Sequence, residues 1–517
     1  MKSANSRHAK NTEEFAPVRV RERGKQIPIV VSAKRKPDKV SDTKVKKRTL
    51  SLRPLQSQYY HIIGWISSLK QQYGSRFLWQ VFSVYFTQGI RSTLCSLGTS
   101  YFLNDTLVLL PSQSEALRGT ASIPWIIKPL YGILSDSVPI CGTRRKSYLL
   151  AGSAITALAY LLLAIPNLLT SYETALMALV LASFGVAFCD VVIDGRVVEA
   201  SRNDREDMAV NLQTLSWLSM SFGSLFGSII SGQALTALGP RGVFFLSALG
   251  PICTISISCR IHEEPLLPLP CGFFATVRTQ FSQLAGVFVT PACWRPVLWL
   301  FLSNALAPSV GEAMFSFKTK ELRFTKSFLG FVSTIGSLTL LGTTALYSIH
   351  FRNIAFRKIF FGVQIVSAAV SFSEFVLVAR WNTYFGVNDQ FFIFGDEIVS
   401  DVVARLKHMP SLILCAKICP PGIEGTMFAL LMSIYNFSWS VASYGGSWLC
   451  QYLSVSSQNF VGLPKALLVR SFAKLIPVML LWMIPATINV QSTKESVEME
   501  NVSNLEAGNA KESKAFA

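Results

Sequence analysis

Lys128-Pro-Leu-Tyr131-Gly132-Ile-Leu-Ser-Asp136-Ser-Val-Pro-Ile-Cys-Gly142-Thr-Arg144-Arg145-Lys146 runs between two apolar stretches. A glycine is followed four residues later by an acid, and then by a basic cluster. This is the layout of a loop that ties two membrane helices together on the cytoplasmic face, where Lys and Arg collect. It points to a chain that moves a solute rather than one that makes or breaks bonds.

Composition agrees. Of 517 residues, 50% are hydrophobic and 15% charged, and mean hydropathy is +0.39. Soluble domains carry about 25% charge. Working outward from the loop, apolar runs recur at 77–98, 114–134, 147–165, 172–194, 210–231, 242–260, 294–316, 328–348, 359–379, 391–415, 425–450 and 465–488. A spanning helix needs roughly 20 apolar residues, which makes these about twelve spans. The net charge of +18 flanks the spans. It therefore reads as topology rather than as nucleic-acid binding.

The expected fold is an all-α membrane protein of about twelve transmembrane helices in two six-helix pseudo-repeats. Its expected parts are a basic disordered tail (1–70), a first half (71–260), a central cytoplasmic linker (261–292), a second half (293–490) and a disordered C-terminal tail (491–517). The first tail reads either as a solvated cytoplasmic segment or as a transit peptide; Glu13, Glu14, Glu22, Asp38 and Asp42 count against the latter. The plasma membrane and a plastid envelope both remain open. Lys318, Lys320, Arg323 and Lys326 break the charge rule between the seventh and eighth spans. They are expected to gather an anionic substrate at the outer mouth.

An ionisable side chain at bilayer depth costs about 2.5–3.5 kcal/mol and is kept where it faces a cavity or a partner. Asp190 and Asp194 are four residues apart on one helical face. Two like charges there resist ionising together, which suits a proton carrier; the alternative is a salt-bridged pair meeting Arg202 or Arg145. Glu397, Asp401 and Arg405, with Asp396 beside them, form a charged stripe that must face protein or water. Asp401 and Arg405 are placed to pair within their helix. The stripe reads as a gating or coupling network or as a structural salt bridge. Lys128 either binds a substrate carboxylate or snorkels to the interface, and Arg91 raises the same question. Asn304, Glu312 and Asn436 are further candidate linings. Asp136 is placed to cap a helix N-terminus and to pair with Arg144 or Arg145, closing the cytoplasmic side. Gly223, Gly227 and Gly232 with Ser224, Ser228 and Ser231 form a close-packing face. No phosphate loop, H-E-x-x-H, G-x-S-x-G or paired CxxC motif occurs, so neither an enzyme, nor a metal, nor a cofactor is expected.

Three stretches carry a family resemblance. Lys128 to Ile140 followed by Arg144-Arg145-Lys146 resembles the signature of the folate–biopterin transporters, a branch of the major facilitator superfamily. Asp190-Val-Val-Ile-Asp194, with Glu199 and Arg202, is similar to the family's fourth-span motif, although Gly195-Arg196 departs from it. Cys419-Pro-Pro-Gly422-Ile-Glu424-Gly425-Thr426-Met-Phe-Ala-Leu-Leu-Met-Ser433 resembles the motif leading into the eleventh span, as does Gly395-Asp396…Arg405…Met409-Pro410 before it.

The resemblance implies the major facilitator fold, alternating access, and transport of folates or pterins, with proton coupling left open. Carried over by position, it makes Lys128, Asp136, Asp190, Asp194, Asp396 and Arg405 the leading functional residues; taken with the reading of the residues above, the candidate substrate contacts are Lys128, Arg405, Asp194 and Arg91. Asp136, Arg144, Arg145, Asp190, Glu397, Asp401 and Asp396 become candidate coupling or gating residues. The lipid bilayer, the folate or pterin and protons are the implied partners. Two other readings remain: a carrier of another organic anion or amino acid, and a membrane receptor or scaffold that transports nothing.

Overall fold

The structure, a computed structural model, describes residues 53–201, 206–263, 290–351, 354–419 and 424–485, with single positions between 278 and 288. The C-terminal tail, most of the linker, and residues 1–52 of the first tail lie outside the described residues. So do Arg202 and Arg352.

Among the described residues the chain is helical throughout. The helices are α1 (Arg53–Tyr73), α2 (Ser75–Tyr101), α3 (Pro111–Ala121), α4 (Lys128–Ser137), α5 (Lys146–Ala164), α6 (Tyr172–Ser201), α7 (Glu206–Cys259), α8 (Pro291–Ala305), α9 (Gly311–Ser316), α10 (Lys326–Leu346), α11 (Phe356–Val378), α12 (Trp381–Tyr384), α13 (Asp389–Ile418), α14 (Glu424–Tyr452), α15 (Leu463–Ala473) and α16 (Ile476–Met479). Long α7 is two helices joined at Gly239, whose φ of 67° only glycine adopts freely, with Pro240 next to it.

The first difference from expectation is α1. Residues 53–70 are helical, not disordered. Leu55, Tyr59, Ile62, Ile66, Leu69 and Tyr73 recur at helical spacing within a polar composition, which gives an amphipathic helix too polar to read as a span.

Five helical stretches are long and apolar enough to cross a membrane on length and composition alone: Lys146–Ala164, Tyr172–Ala200, Asn211–Cys259, Lys326–Thr344 and Phe356–Val378. The remaining expected spans fall short on helix length or on composition, for physical reasons. The second is divided into α3, a short 3-10 turn at Ile123–Trp125 and α4, with Pro124 and Pro129 at the junctions. The tenth carries the charged stripe in α13. These helices turn one face toward protein, so they need not be apolar all round.

The polarity of the surface is reversed relative to a soluble protein. On α7, Ser216, Ser219, Ser228, Ser231 and Ser247 are buried, while Phe222, Phe226, Phe245 and Leu249 are exposed. Small hydroxyl residues line the helix contacts, and large apolar ones face outward as they would toward lipid. Gly223 packs on the backbone at Phe86, and Gly227 on the backbone at Ile90.

The helices pack as two groups. In the first, α2 and α5 pack on α7 and α5 on α6; in the second, α11 packs on α13 and α15, and α8 on α14. Between groups, α7 meets α10, and α14 meets α3 and α4. We expect Gly223→Ala to lower thermal stability in detergent by about 1–3 kcal/mol through overpacking against Phe86. Gly362→Ala, where nothing lies within 4 Å, should leave it unchanged.

Candidate functional site

Pro129 in the first turn of α4 starts that helix right at Lys128. The Lys128 Nζ lies 2.7 Å from Asp190 Oδ2 on α6 and 5.1 Å from the centre of the Trp125 ring. One turn along α6, Asp194 Oδ1 accepts a 2.5 Å hydrogen bond from the Tyr85 hydroxyl of α2. The two acids share a face, yet each has its own partner from a different helix. Lys128, rather than Arg145, supplies the countercharge. Arg91 donates to the Tyr160 hydroxyl at 3.1 Å, and no described carboxylate forms an ion pair with it. It lines a pocket with Thr87, Gln88, Ser153, Thr156 and Thr254, about 310 Å³ of empty space with open solvent included.

A second cluster gathers around Arg145, at the end of the molecule that carries the basic loop. Its guanidinium meets Asp136 at 2.6 Å, Ser135 Oγ at 2.9 Å and Glu199. Burial disfavours its charge, but the carboxylates of Glu199 and Asp136 outweigh burial and hold its pKa above the ordinary guanidinium value. Asp136 lies in the last turn of α4, so it does not cap α5. That role belongs to Glu263, whose carboxylate accepts from the backbone N–H groups of Arg144 (2.8 Å), Arg145 (3.0 Å) and Lys146 (2.9 Å). Three orphan donors at a helix N-terminus are thereby satisfied by one anion. All these partners belong to the first group.

In the second group, Lys318 Nζ reaches Glu397 at 3.3 Å, Ser373 donates to Asp396, and Arg470 pairs with Glu374 at 2.5 Å. The expected ion pair between Asp401 and Arg405 is absent among the described residues. Asp401 instead turns toward Gly336 of α10, where the missing side chain leaves room. Arg405 Nε is buried with no hydrogen-bond partner.

The two groups join at the end remote from the basic loop. Arg118 pairs with Glu312 and donates to Ser100 Oγ at 2.7 Å. The Glu312 backbone N–H donates to buried Glu115 at 2.8 Å. Lys320 pairs with Asp105 at 3.1 Å, and Lys326 sits over the Tyr101 ring at 5.4 Å. The basic cluster that breaks the charge rule is thus largely spent on contacts. Down α14, Tyr444 meets Thr120 (2.8 Å), Ser440 meets Ser122 (2.7 Å) and Asn436 meets the Trp125 carbonyl (3.3 Å). Gly232 and Gly330 bring α7 and α10 together backbone to backbone. The hydrogen bonds and ion pairs named here between described residues of the two groups lie toward this far end.

Sequence reasoning missed Glu115 and Arg118, whose only signal is an i, i+3 pair of charges in a Ser- and Gln-containing helix. It also missed Tyr85 and Tyr160, which carry no signal beyond their hydroxyls. The arrangement gives each group its own set of ionisable residues, and the named polar contacts between the groups gather toward one end.

Residues 88–502 match the BT1 family. A probable folate-biopterin transporter of Arabidopsis thaliana, number 4, is 31% identical over 484 residues, covering 82% of this chain and 98% of the relative. A folate-biopterin transporter of Synechocystis is 33% identical over 411 residues, covering 78% of this chain and 81% of the relative. Among solved structures, a D-xylose-proton symporter superposes with a TM-score of 0.60 at 14% identity, covering 80% of this chain and 98% of that one. That likeness establishes the major facilitator fold and says nothing about cargo.

A bulky side chain at Gly330 would collide with the Gly232 backbone. Gly330→Leu should therefore hold the far end open. A cysteine introduced at buried Ser231, which lies against Gly330, should then react faster with an impermeant thiol reagent than in the parent carrying the same cysteine, with helical content unchanged.

Proposed function

This chain belongs to the BT1 family, a multi-pass integral membrane protein with the major facilitator fold, and on that premise we propose that it moves folates or pterins across the membrane by alternating access. Its role is transport, not catalysis. The observation that carries this reading is the far-end seal. Two helix groups, each carrying ionisable residues, are joined toward one end by hydrogen bonds and ion pairs, as a carrier caught in one of its two states would be. The names of the relatives supply the cargo class.

The basic loops belong on the cytoplasmic side by the charge rule. The sealed far end is then the outer one, and the conformation faces inward. The Asp136–Arg145–Glu199 cluster is formed in this state, so its gating role would be to hold α4, α5 and α6 as one rigid body in both states, rather than to latch the inner side alone. Arg144 joins the same cap through its backbone.

In this scheme Lys128, Arg91, Asp194 and Arg405 face the cargo. A pterin ring is flat and aromatic, and Trp125 beside Lys128 offers it a stacking surface. Asp190, Asp396, Glu397 and Asp401 tune the charge of the passage as the groups move. Asp194, bonded to the neutral Tyr85 hydroxyl, is the acid free to exchange a proton with the passage, which is where proton coupling would enter.

Uptake of labelled folate and of labelled biopterin by folate-requiring cells expressing the chain tests the reading. We expect uptake that saturates, and that Lys128→Ala reduces by about tenfold or more, the cost of one charge-assisted contact. Correctly inserted protein that carries neither compound at any pH would sink the proposal.

A further inference from the structure

Four cations within the helical body meet a carboxylate: Lys128 with Asp190, Lys318 with Glu397, Arg470 with Glu374 and Arg118 with Glu312, and Arg91 meets the Tyr160 hydroxyl. Lys474 donates to the Ser367 carbonyl but has Glu374 and Asp396 close by. Lys407 on α13 is different. Its ammonium group donates to the Ser303 carbonyl at 2.8 Å and to Asn304 Oδ1 at 2.7 Å. Both acceptors are neutral, and no described carboxylate forms an ion pair with it. Two residues away, Arg405 has a buried Nε with no hydrogen-bond partner and no ion pair, with Asp401 one turn before it as the nearby acid. His408, the next residue, faces Tyr435 of α14 with ring centres 5.7 Å apart.

The surroundings hold Lys407 in place without neutralising it. Asn304 is itself buried and donates to Ser438 Oγ at 3.2 Å. The amide is thereby oriented with its oxygen toward the ammonium. Two of the three ammonium donors are used and one is left over. A desolvated cation with only neutral acceptors is costly, and an ion pair broken by removing the acid is among the most unfavourable arrangements in a protein interior. Nothing in the packing of α8, α13 and α14 requires the charge; a neutral side chain would bridge Ser303 and Asn304 at lower cost. The charge makes sense if an anion arrives from outside the chain.

We propose that Lys407, with Arg405 beside it, is the anion subsite of the carrier and takes a carboxylate of the cargo. This deepens the transport reading, on which it rests, by selecting among its cargoes. A folate bears carboxylates on its glutamate tail, whereas biopterin bears none. The subsite favours the former, and Lys407 sets that preference.

The test uses the purified full chain in detergent and two probes. p-Aminobenzoylglutamate carries the anionic tail without the pterin, and biopterin carries the pterin without an anion. Ligand-dependent thermal stabilisation gives a Kd for each. The tail fragment should stabilise the parent protein, and Lys407→Gln should weaken it at least about tenfold, as expected when a charge-assisted contact is lost. Lys407→Arg should keep most of the affinity, and biopterin should bind all three alike.

Asn304→Asp is the second variant. It places a carboxylate 2.7 Å from the ammonium, neutralises the site from within, and should raise the unliganded melting temperature while losing the tail fragment. If Lys407 were merely a strut between α8 and α13, Lys407→Gln would lower the unliganded melting temperature and weaken both probes together, which overturns the proposal. So does a parent protein indifferent to the tail fragment, or a Lys407→Gln that binds it as well as the parent. Flux separates this idea from the one beneath it. If folate uptake is present with an unchanged KM in Lys407→Gln, the subsite fails and the carrier stands. If fragment binding depends on Lys407 while neither folate nor biopterin is transported, the subsite stands and the cargo assignment fails.

Discussion

A charge held at bilayer depth must find an opposite charge or water, and the helices are arranged around that demand. Each unmet charge costs about 2.5–3.5 kcal/mol on insertion scales. The ion pairs that meet it join different helices: α4 to α6 through Lys128 and Asp190, and α11 to α15 through Glu374 and Arg470. Compensation therefore also sets helix position. Breaking one partner would leave the other stranded, so these pairs fix which helices move together. The buried serines of α7 and the close glycine contacts at Gly223 and Gly227 serve the same end, letting backbones approach where lipid offers no drive to associate.

The far-end seal is built differently. It is spread over small contacts: a ring edge between Tyr101 and Phe315 at 4.9 Å, three side-chain hydrogen bonds along α14, and the meeting of Gly232 and Gly330. A typical hydrogen bond nets only about 0.5–1.5 kcal/mol because water replaces it on opening. A seal made of many such contacts can hold a state without trapping it. The Arg118, Glu312 and Glu115 cluster is its most costly element to expose unevenly, since two buried acids lie together with one guanidinium paired to Glu312 alone.

What could be read from the sequence follows the range of each interaction. The apolar repeats and basic loop were legible because they are written in consecutive residues. Asp136 and Arg145 were legible as partners because only a short turn separates them. Lys128 and Asp190 were both noticed, but nothing local says that α4 and α6 place them together across 62 positions of chain. Glu263 lies 118 residues from the Arg145 backbone it caps, so a helix cap that is usually local was assigned to Asp136 instead. Lys407 carries no local signal for a related reason. Its significance lies in a missing partner, and an absence can be seen only when the neighbours are in place. The helix α1 was hidden by its polar composition, although its spacing was regular.

The difference between the two groups bears on how a carrier could couple movement to cargo. In the first group Lys128 is neutralised in place, while in the second Lys407 forms no ion pair with a described acid and Arg405 has Asp401 near it but not paired. Closing an empty passage means bringing those cations into a drier space unaccompanied. Closing it around a carboxylate brings in a paired charge, at much lower cost. A ligand shifts a conformational equilibrium only by its differential affinity for the two states. Here that differential has a physical source, because the anion is worth most where water is least. The loaded carrier would then cross between states more readily than the empty one, and the unpaired lysine that burdens the resting structure would be what makes the presence of cargo felt by the helices.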